Sequence, residues 1–244
     1  MNIFNIFKKK KLDIEFVDTS RMIYQQAPIR LAKDEPIHFS EKQKKEHGKF
    51  MFPFCPGIYD YAKYGYILPA WEDFHIKANK AGTVAFIGGK RGNHVFHKPS
   101  RMGHKIVDGV FEPTDEVPLN AWKFDSPWGI FVNKNISCFL MPAIYHSTFL
   151  DDLYVYPGIV DYNNFHTINF IFSPKRECEV HINYGDPLLH ILPFNNDSIK
   201  GGYGPGEDHQ LDKFKNQIPH SENQYYRKNL SVKKEFKLGE SKDG

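Results

Sequence analysis

Apolar and polar residues alternate with a period of two between Tyr156 and Phe194, more densely than elsewhere in the chain. Such alternation sends one face of an extended chain into a core and the other toward water, the signature of strands. From Asn164 to Phe172, His166, Ile168, Phe170 and Phe172 share one face, while Phe165, Thr167, Asn169 and Ile171 share the other. Cys178, Val180 and Ile182 then alternate with Glu179, His181 and Asn183. Leu188 to Leu192 is nearly continuous in apolar residues and reads as a short strand buried on both faces. Pro157-Gly158, Ser173-Pro174-Lys175 and Gly185-Asp186-Pro187 interrupt these runs with turn residues. The two glycine turns are expected to set the register of the strands they join, because a slip of one residue would expose the apolar face.

The same pattern, read more weakly, continues upstream. Asp13 to Val17 can form a first strand and Ala27 to Leu31 a second. Pro56 to Tyr64 has the marks of a short helix: proline at its start, Ile58, Tyr61 and Ala62 on one face, and Gly65 where a C′ glycine would end it. One strand is expected from Ile67 through Ile76, with Gly82 turning the chain and Thr83 to Ile87 returning as its hairpin partner. Asn133-Lys134-Asn135 between two apolar runs predicts another hairpin, since Asn tolerates the left-handed backbone of tight turns. The expected core comprises Trp71, Phe86, Trp128, Phe131, Phe139, Ile168, Phe170, Val180, Ile182, Leu189 and Ile191. These elements predict a mainly β fold: an antiparallel β-sandwich, jelly-roll or β-clip-like, with one short helix. Residues 1–12 read as a basic flexible arm, 13–195 as a single β domain, and 196–244 as a loop and a partly helical or disordered tail.

Composition supports this class and narrows the partners. Of 244 residues 15% are aromatic, with 21 Phe and 13 Tyr against 3 Trp, a bias that suits strands. A net charge of +3 is too small to imply nucleic acid by itself. The three cysteines show no CxxC spacing, which supports neither a zinc ribbon nor a disulfide framework and fits a reducing compartment. MNIFNIFKKKKL places its apolar residues before its lysines, the reverse of a secretion signal, and no run is long enough to span a bilayer. The glycines between Gly88 and Gly103 do not follow phosphate-loop or dinucleotide spacing.

Twelve histidines raise the question of a metal. In a cupin-like sandwich, two histidines and a carboxylate from neighbouring strands hold iron with open positions for oxygen chemistry. Strand pairing here could bring His181 near His190, with Glu179 on the face of His181, but the His-x-His-x₃₋₄-Glu spacing is absent. No metal and no cofactor is therefore assigned, with Fe(II) or Mg as the alternative. No serine lies in a Gly-x-Ser-x-Gly elbow. The flanking Glu177 and Glu179 are expected to disfavour the thiolate of Cys178. Asp151-Asp152 and Glu72-Asp73 are adjacent pairs, which on a strand point to opposite faces and form no dyad. The candidate ligand position consists of Asp161, Asn163, Asn164 and His166, which follow Pro157-Gly158, together with His190, which breaks an apolar strand. Polar groups against an apolar wall make small-molecule sites; they also make satisfied structural networks.

Four blocks, CPGIYDYAKYGYILPAWEDFHI, FDSPWGIFV, PGIVDYNNFHTINFIF and INYGDPLLHILPF, resemble in order and spacing an uncharacterised family from tailed phages of marine bacteria. That resemblance implies phage origin and carries no activity with it. The tract PGIVDY…INF…INYGDPLLHILPF is also similar in outline to the late segment of dUTPase and dCTP deaminase proteins, with Gly158, Asp161, Gly185 and Leu189 at comparable places. The Ala-Gln pair usual there is replaced by Leu189-His190, and the Arg- and Gly-rich phosphate motifs have no counterpart. The reading that results is a phage-type binding or particle-associated module without catalysis. The alternative is a small-molecule or nucleotide-handling enzyme with a dUTPase-like or cupin-like site. A protein or small-molecule partner, residence in host cytoplasm or virion without secretion, and homo-oligomers are compatible with it; membrane and specific nucleic acid are not expected.

Overall fold

Alternation becomes pairing in a computed structural model that describes residues 13–19, 27–38, 56–80, 84–87, 100–101, 121–132, 135–160, 166–195 and 236–238. The expected arm at 1–12 and most of the expected tail lie outside these residues. In chain order the strands are β1 (Ile14–Asp18), β2 (Arg30–Leu31), β3 (Tyr66–Pro69), β4 (Phe74–Ala78), β5 (Val84–Ile87), β6 (Ser100–Arg101), β7 (Trp122–Val132), β8 (Ile136–Pro142), β9 (Leu153–Val155), β10 (Gly158–Val160), β11 (His166–Pro174), β12 (Cys178–Ile182) and β13 (Pro187–Asn195). The α-helix α1 (Pro56–Lys63) precedes β3. The fold is mainly β, as the patterning predicts.

Among the described residues the strands form three antiparallel sheets around a shared main core. The first runs β1-β7-β11-β9, with β6 also on β7; the second runs β10-β8-β13-β3-β2; the third runs β12-β4-β5. All three contribute to one apolar cluster, through Phe124, Phe170 and Phe172 from the first, Leu68, Leu189 and Ile191 from the second, and Phe74, Ile76 and Val180 from the third. Its centre is aromatic. Phe74 and Phe124 lie 4.9 Å apart between centroids, Phe124 and Phe172 5.5 Å, and Phe170 and Phe172 5.3 Å. Burying each such ring is worth about 1.5–3 kcal/mol.

Several connections differ from expectation. The strand anticipated from Ile67 through Ile76 is two strands, β3 and β4, in different sheets. The bend between them is tied to the Gly185 turn: the amide of Ala70 donates to Asp186 O and that of Gly185 to Ala70 O, each at 2.8 Å. The run at Asn133-Lys134-Asn135 joins no hairpin, because β7 and β8 also lie in different sheets. Nor do Pro157-Gly158 or Gly185-Asp186-Pro187 set register between the strands they join, since β9 and β10, and likewise β12 and β13, do not pair. Register comes from partners distant in sequence, such as Phe170 opposite Phe124 and Leu192 opposite Phe139.

Of the expected core, Trp71, Ile168, Phe170, Val180, Ile182, Leu189 and Ile191 are buried. Trp128 packs against the cluster from a half-buried position. Phe139 is also half-buried, and the Phe86 side chain lies outside the described residues. Phe131 is 44% exposed: on β7 its neighbour Ile130 takes the inward face, so Phe131 points out beside Glu15 of β1.

Candidate functional site

His190 is the member of the expected ligand position whose side chain the structure describes. It sits on β13 between β8 and β3, opposite Met141 and Ile67, and is fully buried. Its Nε2 hydrogen-bonds the carbonyl oxygen of Tyr64, just past α1. The rings of Tyr61 and His146 approach it edge-on, at 5.0 and 5.9 Å between centroids. Burial, with His146 adding to it, pushes the imidazole down to about 4, so at neutral pH the ring is uncharged. Donating from Nε2 leaves the Nδ1 lone pair without a partner among the described residues. Asp161, Asn163, Asn164 and the side chain of His166 lie outside the described residues; the His166 backbone opens β11 in the first sheet, opposite Ile130.

The residue that periodicity could not single out here is His146. Its Nδ1 is 2.8 Å from Pro36 O and its Nε2 2.8 Å from Ala62 O, near the end of α1. Carbonyl oxygens only accept, so a neutral ring can donate to one of them at a time. His190 ties the helix end to the second sheet, and His146 ties it to the turn that follows β8, both through backbone carbonyls. Gly65 makes that docking possible: its φ is +75°, and a Cβ there would run into the carbonyl oxygen of Ile191.

A second cluster lies on the outer face of the third sheet. β12 and β4 are in register with His181 opposite His75 and Glu179 opposite Lys77. Alternation sends Phe74, Ile76, Val180 and Ile182 into the core and these four polar residues outward. His75 Nε2 is 2.6 Å from Glu179 Oε1, and His181 Nε2 is 3.5 Å from the same oxygen. Lys77 Nζ takes the other carboxylate oxygen at 3.1 Å. The two imidazoles stack at 4.0 Å with 22° between planes. Hydrogen bonds from Lys77 and His75 hold the Glu179 carboxyl below its ordinary range. Among the described residues, this is the group able to hold a metal ion, its ligand atoms lying within 4.8 Å of one another. Glu179 and His181 share a face as the alternation predicts. Their partner is His75, not His190, because β12 pairs with β4 while β13 belongs to the second sheet.

A cleft of about 500 Å³ opens between Ile29–Leu31, Asp34–Pro36 and Leu238. Its cation is already engaged by the fold, with Arg30 Nε 2.7 Å from Glu35 Oε1 and Nη2 donating to Gly185 O at 2.5 Å. Cys138 is buried, which pushes its thiol up to about 12. The Cys178 thiol is also raised, as expected, but the causes are burial first and then Asp152, against Arg176, not its two glutamate neighbours. Glu72 lies in the bend after β3, not on a strand, and is buried. Burial raises its carboxyl to about 7; the Trp71 side chain opposes the rise and Asp73 adds to it.

No protein-family model matches the chain, and no curated protein matches it by sequence. Among solved structures the chain is similar to the major envelope protein VP24 of white spot syndrome virus, at 16% identity, with 57% of this chain and 99% of that chain covered. The TM-score is 0.21, and a likeness at that level carries no argument about fold or function.

Proposed function

We propose that the protein is a particle-associated binding module of a virus, acting through its surface and without catalysis. The observation that carries this reading is how the interior is used. Phe74, Phe124, Phe170 and Phe172 are fully buried against one another, and His146 and His190, the buried histidines among the described residues, are committed to backbone carbonyls of Tyr64, Pro36 and Ala62. Groups spent on holding elements together are poorly placed for acid–base work on a substrate. Large apolar side chains do reach the surface, at Phe131, Ile144, Ile159 and Phe194. The four sequence blocks that resemble phage proteins supply the viral part of the proposal.

Quantitative mass spectrometry of purified virions against infected-cell lysate tests it. Copies that co-purify in fixed ratio with the particle are expected. Confinement to the lysate would remove the particle role. Turnover of a nucleotide or 2-oxo acid by the purified chain would replace the module with an enzyme.

A further inference from the structure

We propose that His75, Glu179 and His181 form a surface site for a divalent transition-metal ion of the zinc class, independent of any particle role. The three side chains come from two strands whose opposite faces are locked into the core by Phe74, Ile76, Val180 and Ile182. Their backbone positions are therefore rigid although Glu179 and His181 are exposed and His75 is half-buried. Both imidazoles already direct Nε2 to one carboxylate oxygen, at 2.6 and 3.5 Å. In a tetrahedral site with bonds of about 2.1 Å, ligand atoms stand about 3.4 Å apart. The longer contact has that spacing now. The shorter one opens by less than about 1 Å when an ion replaces the shared proton.

The chemistry of the donors selects the ion. Two imidazoles and one carboxylate suit Zn²⁺, Cu²⁺ or Ni²⁺, whereas Mg²⁺ and Ca²⁺ require mostly oxygen ligands. Lys77 on Oε2 turns the carboxylate so that Oε1 alone faces the ring nitrogens, a monodentate arrangement held from outside the ligand set. Either nitrogen of an imidazole can carry the ring proton, so His75 can present Nε2 to an ion with its proton on Nδ1. Three protein ligands leave the remaining coordination positions to water or to a donor from another molecule.

Calorimetric titration of the full chain with ZnCl₂, and visible absorption with CoCl₂, tests the site. One ion per chain is expected, with cobalt bands of a low-coordinate nitrogen–oxygen site. His181→Ala and Glu179→Gln should each weaken binding about tenfold or more, and the double variant His75→Ala/His181→Ala should lose the cobalt bands. His38→Ala, at an exposed histidine outside the cluster, should leave affinity unchanged. His181 is 64% exposed in its side chain, and far-ultraviolet circular dichroism confirms that each variant is folded. Unchanged affinity in folded His181→Ala, one ion still bound by the double variant, or no saturable binding by the parent chain overturns the proposal.

Discussion

Single residues set the pH response of this protein, and two of them pull in opposite directions. His190 has a folded pKa of about 4 against about 6.5 when unfolded. The unfolded chain therefore takes up that proton first, so the stability from neutral His190 is present above about pH 6.5 and lost as pH falls toward 4. Glu72 is raised to about 7, so its contribution is present below about pH 4.5 and lost as pH climbs through 7. Glu72→Gln removes only the second loss. Urea unfolding should show the variant gaining on the parent by roughly 1–3 kcal/mol between pH 5 and pH 8; an equal difference at both pH values would contradict this. Backbone conformation is the other determinant at this scale. Gly185, with φ +88° but open space around it, should lose about 1–3 kcal/mol as Gly185→Val. Gly65→Ala should lose more, because strain at φ +75° is joined by collision with Ile191 O. Thermal melts of the two variants check the order.

At the scale of elements, β7 offers an internal comparison. Phe124 and Phe131 lie on the same strand, one fully buried and one 44% exposed. Phe124→Ala should cost about 3–5 kcal/mol through lost burial and an aromatic-lined cavity, while Phe131→Ala should cost under about 1 kcal/mol. Comparable losses in chemical denaturation would mean that Phe131 is covered in solution. Patterning places both phenylalanines in a strand but does not tell them apart. Ile130 and Phe131 are both apolar, so nothing local decides which of the two faces the core. That choice belongs to the partner strands β1 and β11.

For the molecule as a whole, one core shared by three sheets implies one cooperative transition. Ile76→Ala, a cut in the third sheet, should shift the midpoints seen by tryptophan fluorescence and by far-ultraviolet circular dichroism equally. Two of the three tryptophans, Trp122 and Trp128, report from the first sheet. Separate midpoints would show that the sheets hold independently. Such a topology, with most consecutive strands placed in different sheets, makes most pairings long-range and predicts folding in milliseconds to seconds, slower than a helical bundle of this size.

Residues acting locally were legible in the chain alone. Period-two alternation marks β11, β12 and β13 because an extended backbone sends successive side chains to opposite faces whatever lies beyond. Pro56 and Gly65 bracket α1 because ring closure and a missing Cβ restrict or free the backbone in place. Glu179 and His181 were bound to share a face for the same reason as the strands alternate. What joined them to His75 was the pairing of β12 with β4, across a separation in sequence that no local rule spans. The tie from His146 to Pro36 and Ala62, and the splitting of the Ile67–Ile76 run between two sheets, arise in the same way. The chain determined that β11, β12 and β13 run as strands and which residues alternate within them; only tertiary structure decided where the Ile67–Ile76 run breaks and which strands share the interior, because pairing is selected by the burial of the whole core at once.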